Sequence, residues 1–251
     1  MRNPFDSAAI AGRYVRGRLY YHPEALRIAL RQLGIGRVGV AVDVGCGTGL
    51  STRAVLAAAE RVVACDASVA MLRAAEPHPQ AQFVAAAAER LPLADGTAEL
   101  ATVGAAFHWF DQPSVLSELA RVLRRGGGLA VYSDYFHGDL VDHPAFAEWM
   151  AGEYASRYPS VRRQPHFDPV AALEAGFGPT THSEEQWQVP LTPETAANYL
   201  VSQSNTAVAT STCDLAELHH SLSEEIRPFF PKDAPAEAIF TIRVWTTILK
   251  S

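Results

Sequence analysis

The chain has 251 residues, 48% of them hydrophobic and 19% charged, an ordinary balance for a chain that buries a core, and one that excludes global disorder. A formal charge of -6 supplies no basic field for phosphates, which argues against a nucleic-acid partner. No stretch reaches the ~18 uninterrupted apolar residues of a spanning helix, and the Arg-bearing N-terminal stretch lacks the apolar centre of a signal peptide. A cytoplasmic protein without membrane contact is therefore expected.

The first 36 residues carry an aromatic and basic stretch, Arg13 to Tyr21, and then a helical pattern through Pro23 to Leu30. From Val38 to Ser133 strands and helices alternate. Val38 to Val44 is apolar on both faces and predicts a buried strand. A helix follows from Leu50 to Ala59, then a strand over Arg61 to Asp66. Ser68 is the expected N-cap of a helix running to Glu76. Ala81 to Ala85, Glu99 to Val103 and Gly128 to Ser133 predict three more strands, with a helix from Pro113 to Arg125 before the last of them. Short links between alternating elements mean a parallel sheet covered on both faces.

Beyond Tyr135, helical pieces fall at 144–158, 169–175, 193–202 and 214–227, with strand candidates at 180–189 and 238–249. These boundaries predict a helical lead-in over 1–36, an α/β core over 37–134, and over 135–251 an inserted helical cap with the last strands, all in a single catalytic domain. The expected fold class is α/β, a Rossmann-like doubly wound sheet of seven strands. Cys46, Cys65 and Cys213 show no C-x-x-C spacing, so each reads as small buried filler. The acids are scattered, so neither a disulfide framework nor a metal site is expected.

Asp43-Val-Gly-Cys-Gly-Thr-Gly49 lies where the first strand ends and a helix begins, the place at which doubly wound sheets bind nucleotides. Gly45 and Gly47 have no Cβ, so a ligand can come close to the backbone. The dinucleotide fingerprint needs a glycine at position 50, where this chain has Leu50. Asp43 stands two residues before the first glycine, and a carboxylate there repels a pyrophosphate but suits an ammonium, directly or through water. Asp66 closes the second strand, 19 residues after Gly47, where an acid accepts both ribose hydroxyls. Turn and two acids together favour S-adenosylmethionine, with a nicotinamide or flavin cofactor and a purely structural turn as alternatives.

Five stretches resemble the class I S-adenosylmethionine-dependent methyltransferases, type 11 small-molecule group, near trans-aconitate methyltransferase-like proteins. They are Val42 to Gly49, Asp66 to Leu72, Ala88 to Leu93, Ala106 to Asp111 and Arg121 to Gly128, in the family's order. The resemblance implies that Asp66 and Ala67 hold the ribose and that Met71 packs on the adenine. It implies also that the backbone around Ala87, Ala88 and Glu89 reads the adenine edge, and that Ala105 borders the cofactor. Family members often carry an acid where this chain has Ala87. Tyr14 to Pro23 resembles the family's lead-in, with Arg18 reaching the cofactor carboxylate and Tyr14 closing the site. The bland readings are a core residue for Met71, a helix-start acid for Glu89 and a solvated helix start for the lead-in.

Ala106-Phe-His-Trp-Phe-Asp111 follows the fourth strand on the carboxyl edge of the sheet. His108 is the candidate catalytic residue, able to hydrogen-bond an acceptor or take its proton. Phe107, Trp109, Tyr21 and Tyr135 are candidates for the acceptor wall. Packing, and for His108 a cap or backbone bond, are the competing readings, and Asp111 reads as an N-cap. The expected activity is methyl transfer to oxygen, nitrogen or carbon of a small molecule by a monomer or homodimer, with a carboxylate among the acceptors the resemblance implies. A noncatalytic cofactor-binding module and a nicotinamide oxidoreductase are the alternatives.

Overall fold

In a computed structural model of the chain, residues 6–160, 164–210 and 213–251 are described. Helix α1 (Ala8–Gly17) is capped by the Ser7 hydroxyl, which accepts from the Ile10 amide. Helix α2 (His22–Leu33) ends on the left-handed Gly34 (φ 64°). The alternating region then runs β1 (Val38–Val44), α3 (Leu50–Val55), β2 (Ala59–Asp66), α4 (Val69–Arg73), β3 (Ala81–Ala85), β4 (Ala98–Gly104), a 3-10 turn (Phe107–Trp109), α5 (Gln112–Val122) and β5 (Leu123–Tyr135). Next come α6 (Ala145–Trp149), a π turn (Met150–Tyr154), α7 (Ala155–Arg157), α8 (Pro169–Glu174) and β6 (Thr181–Leu191). Helices α9 (Pro193–Ser202), α10 (Ser204–Ala209) and α11 (Leu215–Ile226), a 3-10 turn (Arg227–Phe229) and β7 (Ala236–Ile248) close the chain.

The seven strands form one sheet in the order β3-β2-β1-β4-β5-β7-β6, as the α/β reading expected. The β1–β2, β1–β4, β2–β3 and β4–β5 pairs are parallel. The order reverses at β1, so the loop leaving β1 opens at the switch point where such sheets take ligands.

Three predicted boundaries move. The helix after the glycine turn stops at Val55, because Ala59 already pairs with Val38 across β1 and β2. The Ser68 helix also ends early, at Arg73, although Ser68 caps it as expected by accepting from the Met71 amide. In the third case β5 begins at Leu123 and takes in the glycine run, with a register irregularity between Ala98 and Leu100. Helix α10 was not anticipated.

Two compact units divide the chain. The sheet unit is Tyr20–Ser133, Arg163–Glu184 and Ile242–Ser251, and the helical unit is Met1–Leu19, Asp134–Arg162 and Glu185–Thr241. The cut between Leu19 and Tyr20 replaces the expected one after residue 36, because α2 is amphipathic and buries Ala25, Leu26, Ile28, Ala29 and Leu33 within the sheet unit. Segment 163–184 joins the sheet unit instead of a cap, and 242–251, read as part of a last sheet strand, belongs to the sheet unit as well.

Candidate active site

The glycine turn is built by its strands. The amides of Gly45 and Cys46 both donate to the Cys65 carbonyl (2.8 and 3.1 Å), and Gly49 donates to the Cys46 carbonyl (2.9 Å). Gly45, Gly47 and Gly49 all have left-handed φ values, of 70°, 55° and 83°, a conformation that L side chains rarely adopt. A Cβ on Gly45 would collide with the Cβ of Ala106 and press on the Phe110 ring. On Gly47 it would meet only Met71 Cε, at 3.7 Å. Gly45 therefore lets the turn lie against the 106–110 segment, while the face of Gly47 is open, with Met71 at its edge.

Asp66 is poised on this turn. Its Oδ2 accepts from the Gly47 amide and its Oδ1 from the Ser68 amide, both at 2.8 Å. One carboxylate at the end of β2 thus ties the glycine turn to the start of α4. Ala67 lies between these two bonds.

Asp43 behaves otherwise. It is wholly buried, and Oδ2 accepts from the hydroxyls of Ser51 and Thr52 (both 2.7 Å) while Oδ1 accepts from Thr102 (2.9 Å). The Thr102 contact follows from register, since Asp43 pairs with Thr102 across β1 and β4. Burial pushes the Asp43 carboxyl above its ordinary value, and the three hydroxyls and the neighbouring Asp66 act on it less strongly. The expectation of a direct contact with a cofactor ammonium is corrected here, because Asp43 is fully buried beneath three hydroxyls, whereas Asp66 is only partly buried. Asp43 fixes the turn from beneath. Ser51, Thr52 and Thr102 were missed at the sequence level; the adjacent hydroxyl pair just inside α3 was the one signal available.

The loop after β3 has its own anchor. Ala88 is buried and Glu89 exposed in the turn after β3, so Glu89 does not start a helix. Arg121 of α5 donates to the carbonyls of Leu91 (3.2 Å) and Leu93 (2.9 Å), and Glu118 accepts from the Leu91 amide (2.6 Å). Two of the quoted stretches, 88–93 and 121–128, are thereby clamped together. Beside them, Ala105 holds a left-handed φ of 53° and donates to the Tyr132 carbonyl (2.7 Å). A non-glycine residue so strained at the carboxyl end of β4 is typical of functional sites.

The aromatic segment divides. Phe107 is 1% exposed and stacks on Phe167 (5.6 Å, 27°) in the core with Val115 and Leu116. It is corrected from acceptor wall to core. His108 is 7% exposed, with Trp109 5.1 Å from it, ring to ring, and His166 5.6 Å away. Asp111 takes the N-cap place of α5, but its carboxylate accepts from the Ser114 hydroxyl instead of a backbone amide. Tyr21 is buried, stacked on His22 (4.4 Å) and edge-on to Tyr132 (6.1 Å). Among the described residues no cluster of three or more His, Cys, Asp and Glu can hold a metal.

Tyr14, Arg18 and Tyr135 belong to the helical unit. There the Arg18 guanidinium lies over the Tyr14 ring (4.9 Å) and donates to the Ser202 carbonyl (3.4 Å), and the half-exposed Tyr135 meets His137 edge-on. Cys46 and Cys65 are buried, and burial raises the Cys65 thiol to about 12, which suits inert filler. Cys213 is exposed, which corrects its reading as filler.

Comparison with known proteins settles what the turn belongs to. Residues 42–131 match the methyltransferase domain family. This stretch is similar to class I methyltransferase domains. The cofactor of such a domain is S-adenosylmethionine. The open face of Gly47, with Asp66 and Met71 beside it, fits that group. An uncharacterized methyltransferase of Mycobacterium tuberculosis is 39% identical over 130 residues, 51% of this chain and 50% of its own. Malonyl-[acyl-carrier protein] O-methyltransferase of Pseudescherichia vulneris is 41% identical over 134 residues, 52% and 53% respectively. The chain thus spans about half the length of the curated relatives it matches. A protein of Anaeromyxobacter dehalogenans proposed to be a type II methyltransferase shares the fold, with a TM-score of 0.62 at 24% identity over 89% of this chain and 96% of that one. The matched stretch ends within β5 and lies wholly inside the sheet unit.

Proposed function

We propose that the chain transfers the methyl group of S-adenosylmethionine to a small-molecule acceptor, with a carboxylate oxygen as the acceptor atom and the cytoplasm as its compartment. One observation carries the reading: the Asp66 carboxylate is held on the Gly47 amide at the open face of the glycine turn. The carboxylate preference draws on the relative named as a malonyl-[acyl-carrier protein] O-methyltransferase. The net charge of -6 supports a small molecule over a nucleic acid.

S-adenosylmethionine, when bound, supplies an electrophilic methyl on a cationic sulfur. Asp66 accepts the ribose hydroxyls, Met71 packs on the adenine, and the backbone of Ala88 and Glu89 reads its edge. Asp43 acts through Ser51 and Thr52 to hold the turn still. His108 binds the acceptor and Trp109 keeps it dry, so that rate comes from positioning. A carboxylate acceptor is already a nucleophile, and His108 then orients it by hydrogen bonding. For an acceptor that must lose a proton, the same imidazole takes it.

Replacing Asp66 by Ala removes two charge-assisted hydrogen bonds, each worth ~1.5–3 kcal/mol, and should weaken cofactor binding at least about tenfold. Calorimetry on the folded Asp66→Ala protein tests this, and unchanged affinity would refute the assignment. Transfer of labelled methyl to short dicarboxylates, with a metabolite extract and bulk transfer RNA in parallel, tests the acceptor. Labelling of the RNA alone would overturn the small-molecule reading.

A further inference from the structure

His108 does not stand alone. The segment Gln164 to Asp168 lies along the His-Trp-Phe turn and is fastened to it at several points. The Gln164 amide donates to the His108 carbonyl (3.1 Å), and Gln112 Nε2 donates to the Pro165 carbonyl. Phe167 stacks on Phe107 in the core. At its far end Asp168 caps α8, accepting from the amides of Val170 (2.9 Å) and Ala171 (3.1 Å). The strap therefore has little freedom, and it carries His166 to an edge contact with the His108 ring (5.6 Å, 69° between planes).

His166 is set in turn by rings on β6 and β7. Its ring lies parallel to the indole of Trp245 on β7 (5.8 Å, 7°), on which His182 of β6 also stacks (4.6 Å, 14°). Ring pairs at these separations favour offset or edge geometries and resist rotation away from them. An acceptor-binding side chain gains from such support, because an error of ~1 Å in its placement can cost on the order of 100-fold in rate.

We propose that His166 is a positioning residue of the acceptor site: held by the 164–168 strap and by Trp245, it fixes the plane of the His108 imidazole through ring packing. The proposal rests on His108 being the acceptor-binding group. His166 itself takes no proton and touches no reacting atom. The histidine ring resonances of the 251-residue protein provide the test, with His108 assigned through His108→Gln and His22 as a control elsewhere in the unit. His166→Ala should shift and broaden the His108 resonance and leave His22 in place. Trp245→Leu should act in the same direction by a second route. His166→Phe, which keeps a ring on Trp245 and an edge toward His108, should restore a single sharp His108 resonance. An unmoved His108 resonance in His166→Ala overturns the proposal. So does failure of His166→Phe to restore it, since His166 would then act as an imidazole and not as a packed ring. This measurement needs no cofactor. Absence of S-adenosylmethionine binding in the unaltered protein would sink the methyltransferase reading and leave the His108 result standing or falling by itself.

Discussion

The two units bury different kinds of matter. The main core of the sheet unit packs Val, Leu and Ala from parallel strands against α5, with Phe107, Phe167 and Phe177 as the fully or nearly buried phenylalanines of that cluster. The helical unit is filled by rings: Phe136, Phe146, Trp149, Tyr154, Tyr158, Tyr199, Phe230 and Phe240 pack together, Phe136 on Phe240 at 4.3 Å and Phe146 on Trp149 at 5.6 Å. Their buried charges differ as well. The sheet unit buries the anion Asp43 under three hydroxyls. The helical unit buries the cation Arg13, which donates to the hydroxyl and carbonyl of Thr210. Aliphatic strands with a caged acid make a rigid platform beneath the glycine turn. A core of interlocked rings draws its stability from a few large side chains, so losing one of them should matter more there than losing one aliphatic residue from the sheet.

The largest expected effect breaks the aromatic core. Phe240 is fully buried and touches Phe136, Trp187 and Tyr199 by ring contacts. Phe240→Ala should cost about 3–5 kcal/mol. Urea unfolding followed by tryptophan fluorescence measures the loss, and a cost below that of a sheet-unit Leu116→Ala variant would contradict the comparison between the cores.

Asp43 sharpens the electrostatic half. Asp43→Ala leaves three buried hydroxyls without their acceptor and should cost about 1–3 kcal/mol. Asp43→Asn keeps an acceptor and removes the charge. Burial raises the folded-state pKa of Asp43, so the stability that the acid contributes is fully present below its unfolded value of ~3.9 and is lost as pH rises toward the folded value. The Asn variant should therefore gain on the unaltered protein as pH rises from about 4 toward neutrality. Parallel denaturation curves across that range check it, and a flat difference would mean that the cage leaves the Asp43 pKa where it is in the unfolded chain.

The difference between the units also explains what could be read from the residues alone. Continuous β-branched runs ending in a glycine turn announce a parallel strand and its loop, and β1, β2 and the turn lie where they were expected. The helix after the turn was drawn too long because Leu56, Ala57 and Ala58 continue its apolar pattern, while the pairing that stops it, Ala59 with Val38, is a matter of register. Register hid the hydroxyl cage in the same way, for Thr102 and Asp43 are neighbours only once β4 is laid beside β1. Nothing periodic links 164–168 to the His-Trp-Phe turn, so the strap was invisible. In the helical unit the rings that meet are scattered from Phe136 to Phe240, and α10 is a short helix with no apolar stripe long enough to register.

The smallest expected effect comes from an acid with the opposite sign. Glu225 of α11 is gripped by both terminal nitrogens of Arg157 (2.7 and 2.9 Å) and accepts from Trp149 Nε1 (3.2 Å). The Arg157 hydrogen bonds hold its carboxyl below the ordinary glutamate value. A depressed folded-state pKa contributes stability that is present above the unfolded value, ~4.3, and is lost as pH falls through the folded one. Acid should thus weaken this contact while it relieves Asp43. The Arg157 side chain is 45% exposed, so solvent and salt screen the pair, and Glu225→Gln should cost only about 0.2–1 kcal/mol at neutral pH. The loss should vanish in acid and shrink at high salt. A cost that ignored both would mean that the bond to Trp149, and with it the packing of the aromatic core, carries the contribution of Glu225 in place of its charge.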